Sequence, residues 1–131
     1  MHEYLTMSVR EMARLIKDGE LSPVELLDVH LKRMEEVNPK INAVVVPRFE
    51  EARKEAKAAE EKLAGGDKDL GPLFGVPCTV KDTYALEGHA WSGGVWARKD
   101  LIADFDATAV ARLKKAGAII MGKTNVPEAA M

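Results

Sequence analysis

One lysine stands out as a residue that could do chemistry, because it closes an apolar run. Lys81 lies near the end of the segment from Gly71 to Asp82, GPLFGVPCTVKD. Its glycines and prolines set the approach of the chain, and the uncharged run 76–80 then predicts a buried strand that carries the lysine. A lysine that enters a core is costly unless it pairs with an acid or loses its proton. The simpler interpretation is a strand-end lysine that reaches solvent or pairs with Asp82.

Few other side chains are candidates for a nucleophile. The chain has three serines; Ser8 and Ser22 stand at the starts of predicted helices, which leaves Ser92 in a glycine-rich loop. Along a strand, alternate residues share a face, so Cys78 and Lys81 should point to opposite sides. We therefore predict that Cys78 is a small buried strand residue and does not act as the nucleophile.

The sequence offers neither a metal site nor a phosphate-binding loop that fits its context. The three histidines are scattered without ligand spacing, and we predict no metal and no other cofactor. The segment from Gly117 to Thr124 matches the pattern G-x-x-x-x-G-K-[ST], but its intervening residues are apolar, half β-branched and preceded by a helix. Pro127 follows where the phosphate-binding helix should begin. We reject this motif, and nucleotide binding with it.

Two long segments, in a fixed order, carry a resemblance to a known family. GPLFGVPCTVKD fits G-P-L-x-G-[IV]-P-x-x-[VI]-K-D, and residues 106–128, DATAVARLKKAGAIIMGKTNVPE, fit a second pattern that ends in G-K-T-N-x-x-E. Shorter likenesses upstream, at 21–26 and 37–43, extend the match over nearly the whole chain. In all four segments the chain resembles the amidase signature family of serine amide hydrolases.

The resemblance implies amide hydrolysis through an acyl-serine intermediate. In that family the catalytic groups are a nucleophilic serine, a bridging serine in a cis peptide and a buried lysine, and the lysine matches Lys81. Desolvation in an apolar pocket favours the neutral lysine that can accept a proton. The two serines lie in the family downstream of the position of Met131, so we predict an N-terminal portion that is inactive alone. Asn125 and Met131 are, by the same resemblance, candidate substrate-binding residues.

The end of the second motif favours a general amidase acting on a small-molecule amide. Glutaminase subunits of tRNA-dependent amidotransferases usually carry T-N-[ML]-D-E-F-A where this chain has TNVPEAA, residues 124–130. Two alternatives stay open at this point. One is such a glutaminase subunit, and the other is a non-catalytic remnant that serves as an interaction module.

Composition and charge exclude several classes of protein. The chain has 131 residues, of which 47% are hydrophobic, enough for one domain with a modest core. A net charge of -2 with mixed signs gives no electrostatic case for binding nucleic acid or an anionic membrane. A single cysteine, no apolar run near the roughly 20 residues that span a bilayer, and no secretion signal predict a cytoplasmic protein.

The pattern of caps and apolar residues predicts an α/β fold. Ser8 and Ser22 each precede a carboxylate by three residues and should cap two helices, the second ending at Asn38–Pro39. Further elements are predicted as a strand at 41–46, a helix at 48–63, the strand at 76–80, a helix at 106–116 and a strand at 118–121. We expect residues 1–131 to form one segment, helical over 1–40 and strand/helix/strand over 41–131. Its mixed sheet, covered by helices, should be incomplete, with an exposed edge that could support homo-oligomers.

Overall fold

The computed structural model describes residues 2–67 and 69–131. Its helices are α1 (Val9–Lys17), α2 (Pro23–Ile41), α3 (Phe49–Ala64) and α4 (Thr108–Lys115). Its strands are β1 (Val44–Pro47), β2 (Pro77–Lys81) and β3 (Ile119–Thr124). Short 3-10 helices lie at Glu3–Leu5, Trp96–Arg98 and Glu128–Ala130.

The three strands form a mixed sheet in the order β1-β3-β2. β1 runs antiparallel to β3, and β2 runs parallel to it. The central strand is apolar at Ile119, Ile120 and Met121 because helices cover both of its faces. On one face α2 and α3 pack against it through Leu27, Leu31, Ala52 and Ala56, and on the other face α4 contributes Val110. The predicted α/β class with a helix-covered mixed sheet is confirmed.

The predicted helix caps are confirmed, but the predicted end of α2 is wrong. The Ser8 hydroxyl accepts a hydrogen bond from the backbone N–H of Glu11, and the Ser22 hydroxyl accepts from two N–H groups in the first turn of α2. The second helix continues through Pro39 to Ile41. It ends there because Asn42 adopts the left-handed conformation, with φ 48°, and its N–H closes the last turn.

Loss of the cap at Ser22 should destabilise the protein measurably. In a Ser22→Ala variant the first N–H groups of α2 lose their acceptor, and we expect the free energy of unfolding to fall by about 1 kcal/mol. Ser22→Thr keeps a hydroxyl and should retain most of the stability. Urea denaturation followed by circular dichroism checks both variants; equal stability of Ser22→Ala and wild type would contradict the assignment.

Strand β2 is an edge strand, so the predicted buried strand at 76–80 is only half right. Val80 is buried with the cluster around α4, whereas Thr79 and Lys81 on the opposite face are exposed. Within the part of the chain that the structure describes, no further strand pairs with the free side of β2. The alternation of faces is as expected, but the apolar run does not carry Lys81 into a core.

Strand β3 is longer than predicted and contains an irregularity that turns one residue to a new face. Cys78 pairs with Ile120, but the next residue of β2, Thr79, pairs with Gly122, so Met121 is inserted between the two pairs. Val80 then pairs with Lys123. Because paired residues share a face, the bulge places this lysine on the buried face of Val80. The predicted end of the strand at residue 121, which would leave the lysine in a loop, is wrong.

Candidate active site at the end of the parallel strands

The candidate base Lys81 lies at the exposed carboxyl end of β2. Its register partner is Thr124 at the end of β3, and the chain leaves the strand through a turn in which the N–H of Tyr84 bonds to the carbonyl of Lys81. Asp82, the next residue, does not serve as its counter-ion, because the carboxylate lies on the buried face and pairs there. Of the two simpler interpretations of Lys81, the ion pair with Asp82 is therefore wrong, and the side chain reaches solvent instead.

The buried lysine at this end of the sheet is Lys123, which the sequence analysis missed. Its side chain is 0% exposed, and its Nζ lies 2.6 Å from Oδ1 of Asp82. The same ammonium group donates a hydrogen bond to the carbonyl of Ala90 at 2.5 Å. Burying a charge without a partner is costly, and here both partners are supplied. The lysine is buried because of the bulge in β3, and no residue pattern in the sequence predicts that bulge.

The carboxylate of Asp82 also holds the glycine-rich loop between Ala90 and Val95. Its Oδ2 accepts hydrogen bonds from the hydroxyl of Ser92 at 2.6 Å and from the N–H of Gly93 at 3.1 Å. The hydroxyl of Ser92 is thus hydrogen-bonded to Asp82, on the face of the sheet opposite to Lys81. These contacts give Ser92 a structural role and separate it from the candidate base.

This loop forms one wall of a groove of about 640 Å³ at the end of the sheet. The opposite wall comes from β1 and from the residues after β3, including Asn125. The Asn125 side-chain amide donates to the carbonyl of Asn42 and its oxygen accepts from the N–H of Val126. The side chain therefore links the chain just before β1 to the residues just after β3.

The two tryptophans near the groove have different roles. Trp91 is half-buried against the ring of Phe105, and its indole N–H donates to the carbonyl of Thr83. Trp96 is 80% exposed and lines the groove, with the ammonium group of Lys99 5.6 Å from its ring. Trp91 therefore fills space within the structure, and Trp96 is available to a ligand.

The candidate substrate residue Met131 follows the short helix Glu128–Ala130 and is 91% exposed. That helix is tied to the glycine-rich loop, since the N–H of Ala129 bonds to the carbonyl of Gly93. Gly94 lies so close to the same segment that a Cβ there would come within 2.7 Å of the carbonyl oxygen of Pro127. The loop and the residues before Met131 are thus packed as one unit.

The environment of Cys78 opposes a nucleophilic role. Burial, together with the negative charge of Glu55, raises the pKa of the Cys78 thiol to about 11. The thiol is half-buried against the cluster around Val80 and is directed away from Lys81. The predicted structural role of Cys78 fits these surroundings.

The raised pKa predicts slow alkylation of Cys78. An ordinary thiol has a pKa of about 8.5, so near pH 8 the thiolate fraction of Cys78 should be lower by roughly two orders of magnitude. We expect iodoacetamide to modify the folded protein at least tenfold more slowly than the same protein in 6 M guanidinium chloride, with mass spectrometry as the readout. Equal rates would show that the thiol is neither buried nor raised in pKa.

The rejected nucleotide motif does not form a phosphate loop. Residues from Ile119 to Thr124 are a strand, and the lysine of the motif, Lys123, is held by Asp82. Among residues 2–67 and 69–131, no group of three or more histidine, cysteine, aspartate or glutamate side chains is placed to hold a metal ion. In the same two ranges no helix has the length and apolar character needed to cross a bilayer.

Comparison with known proteins agrees with the motifs and the fold. The family model described as Amidase matches residues 25–131, and the chain belongs to this family. It is 49% identical over 121 residues to an indoleacetamide hydrolase of Bradyrhizobium diazoefficiens, covering 92% of this chain and 23% of that protein. It is 39% identical over 131 residues to a glutamyl-tRNA(Gln) amidotransferase subunit of Streptomyces coelicolor, covering 100% of this chain and 26% of that protein.

A solved structure shows the same arrangement of elements. The crystal structure of a bacterial aryl acylamidase of the amidase signature enzymes superposes with a TM-score of 0.86 at 31% sequence identity. The match covers 94% of this chain and 26% of that one. The chain thus spans about a quarter of the length of the relatives it matches.

Proposed function

We propose that the complete native protein hydrolyses an amide bond through an acyl-serine intermediate, with Lys81 as the general base. The observation that carries this proposal is the placement of two lysines at one end of the sheet. Lys123 is buried, and its Nζ pairs with the carboxylate of Asp82 and donates a hydrogen bond to the carbonyl of Ala90. Lys81 points away from that acid, at the exposed end of an edge strand. Of these two lysines, only Lys81 is therefore exposed and not engaged by Asp82.

The proposed reaction needs two serines that act with Lys81. The oxygen of the first serine attacks the amide carbon, while its proton passes through the second serine to the neutral lysine amine. The lysine then returns a proton to the leaving nitrogen as the C–N bond breaks. Water, deprotonated along the same route, hydrolyses the ester and regenerates the first serine.

We place both serines outside residues 1–131, and we therefore propose that this chain alone is inactive. Ser8 and Ser22 cap helices, and the hydroxyl of Ser92 donates a hydrogen bond to the carboxylate of Asp82. Covering β2 with a further part of an amidase domain would supply the apolar surroundings in which a neutral lysine is favoured. Residues 1–131 would then be one segment of that domain, with Asn125 and Met131 beside the substrate.

The likeness to an indoleacetamide hydrolase favours a general amidase acting on a small-molecule amide. The residues after Thr124 support this, because TNVPEAA lacks the aspartate and the phenylalanine of the usual T-N-[ML]-D-E-F-A. The likeness to the amidotransferase protein of Streptomyces coelicolor over the whole chain keeps the glutaminase function as a second candidate.

An assay of the complete native protein tests the proposal. We expect ammonia release from primary amides such as indole-3-acetamide that does not depend on ATP or tRNA. Release from glutamine alone, stimulated by tRNA and by a partner protein, would favour the second candidate. No hydrolysis of any amide by the full-length protein would refute the proposal and favour a non-catalytic interaction module. The cytoplasmic location and homo-oligomeric state that we inferred from the sequence stay predictions.

A further inference from the structure

The buried ion pair of Asp82 and Lys123 is a feature that the proposed reaction does not use. Both side chains are almost fully removed from solvent, and the charged atoms lie 2.6 Å apart. A buried pair of this kind is a poor source of stability, because two apolar residues of similar volume often serve as well or better. The position of the pair in the fold therefore suggests a role other than stability.

The pair links three separate parts of the chain. Asp82 follows β2 and bonds through its own N–H to the carbonyl of Thr124, and Lys123 belongs to β3. The ammonium group of Lys123 donates a hydrogen bond to the carbonyl of Ala90. The carboxylate of Asp82 accepts hydrogen bonds from the hydroxyl of Ser92 and the N–H of Gly93. The glycine-rich loop is thus fixed to the ends of both parallel strands by three polar contacts.

The loop in turn fixes the segment that leads to Met131. The carbonyl of Gly93 accepts from the N–H of Ala129, and Gly94 is in close contact with the carbonyl oxygens of Val126 and Pro127. The glycine-rich loop lines one wall of the groove, and β1 with Asn125 and Val126 lines the other. A displacement of the loop would therefore move one wall of the groove and the residues that follow β3.

We propose that the Asp82–Lys123 pair is a positioning device that holds the glycine-rich loop, which forms one wall of the groove, and the segment that leads to Met131 in register with Lys81 at the end of β2. This inference rests on the proposed amidase function for its link to substrate binding. Neither side chain is a catalytic residue, since each acts through the backbone that it holds. Asp82 also fixes the peptide that follows Lys81, which ties the wall to the candidate base.

The test compares the complete native protein with a double variant, Asp82→Leu/Lys123→Met. Replacing both charges by apolar side chains of similar size should leave a urea midpoint close to that of wild type. The loop then lacks its polar anchors, so we expect hydrogen exchange of the Gly93 amide to accelerate at least tenfold. We also expect KM for indole-3-acetamide to rise about tenfold, with a smaller change in kcat.

Two further variants separate positioning from folding. Lys17→Met removes an exposed lysine on α1 and should change neither exchange nor KM. Ser92→Ala removes a single anchor and should shift Gly93 exchange and KM in the same direction as the double variant, by a few-fold. It keeps the inference testable if the double variant does not fold.

The outcomes distinguish this inference from the proposed function. Unchanged exchange at Gly93 in folded variants overturns the inference, whether or not the protein hydrolyses amides. Faster exchange with a wild-type KM also overturns it, because the pair would then order a loop without placing the groove wall. Faster exchange in a native protein that hydrolyses no amide supports the anchoring of the loop and refutes only the proposed function.

Discussion

Replacing Lys81 with methionine should lower kcat/KM for amide hydrolysis by the complete native protein roughly a thousandfold or more. The expected size follows from the contribution of a positioned general base, about 10²- to 10⁴-fold, taken with its second role as proton donor to the leaving nitrogen. Methionine keeps most of the length of the side chain and removes only the amine. The loss should therefore appear in kcat and not only in KM.

The same substitution should leave folding unchanged. Asp82, the neighbouring acid, pairs with Lys123 and not with Lys81, so the substitution leaves this buried carboxylate with its partner. Lys115→Met, on the exposed side of α4, is a matched control that should keep full activity. Activity within tenfold of wild type in Lys81→Met would rule out this lysine as the base.

Replacing Lys123 with methionine should, in contrast, lower the stability of the fold. It leaves the carboxylate of Asp82 buried without its counter-ion, and removing one partner of a buried pair typically costs about 3–5 kcal/mol. We expect the free energy of unfolding to fall by that amount. Chemical denaturation monitored by the fluorescence of the two tryptophans measures it.

A double-mutant comparison makes this second prediction specific to the pair. If the cost arises from the unpaired carboxylate, then adding Asp82→Leu to Lys123→Met should restore most of the lost stability. Equal instability of the single and double variants would show that Lys123 stabilises the fold through packing of its alkyl chain instead. A single variant as stable as wild type would show that the pair contributes nothing.

The sequence allowed the helices and their order to be predicted because their signals are local. Serine followed three residues later by glutamate marked two helix starts, and alternation along 76–80 correctly separated Cys78 from Lys81. Pro39 misled the prediction, since a proline normally disfavours helix for the residue before it. The helix nevertheless continues to Ile41, and the left-handed conformation of Asn42 ends it.

The buried half of the candidate site could not be predicted, because it depends on register. The inserted Met121 turns Lys123 to the face of Val80 and Asp82, and a strand without that bulge would place the lysine on the other face. The exposure of Lys81 depends equally on which strands stand beside β2. Strand register and strand neighbours both depend on residues far apart in the chain. The local sequence pattern could therefore identify Lys81 as a candidate, but it could not predict that Lys81 is exposed and Lys123 buried.

The most direct test of the proposed mechanism is covalent trapping of the nucleophile in the native protein purified from its source. A fluorophosphonate probe reacts with activated serine hydroxyls, and mass spectrometry then gives both the intact mass and the labelled residue. We predict a native mass several times larger than 14.3 kDa, with one adduct on a serine outside residues 1–131 that is absent in Lys81→Met. A native mass equal to that of these 131 residues, or an adduct on Ser92, would contradict the mechanism.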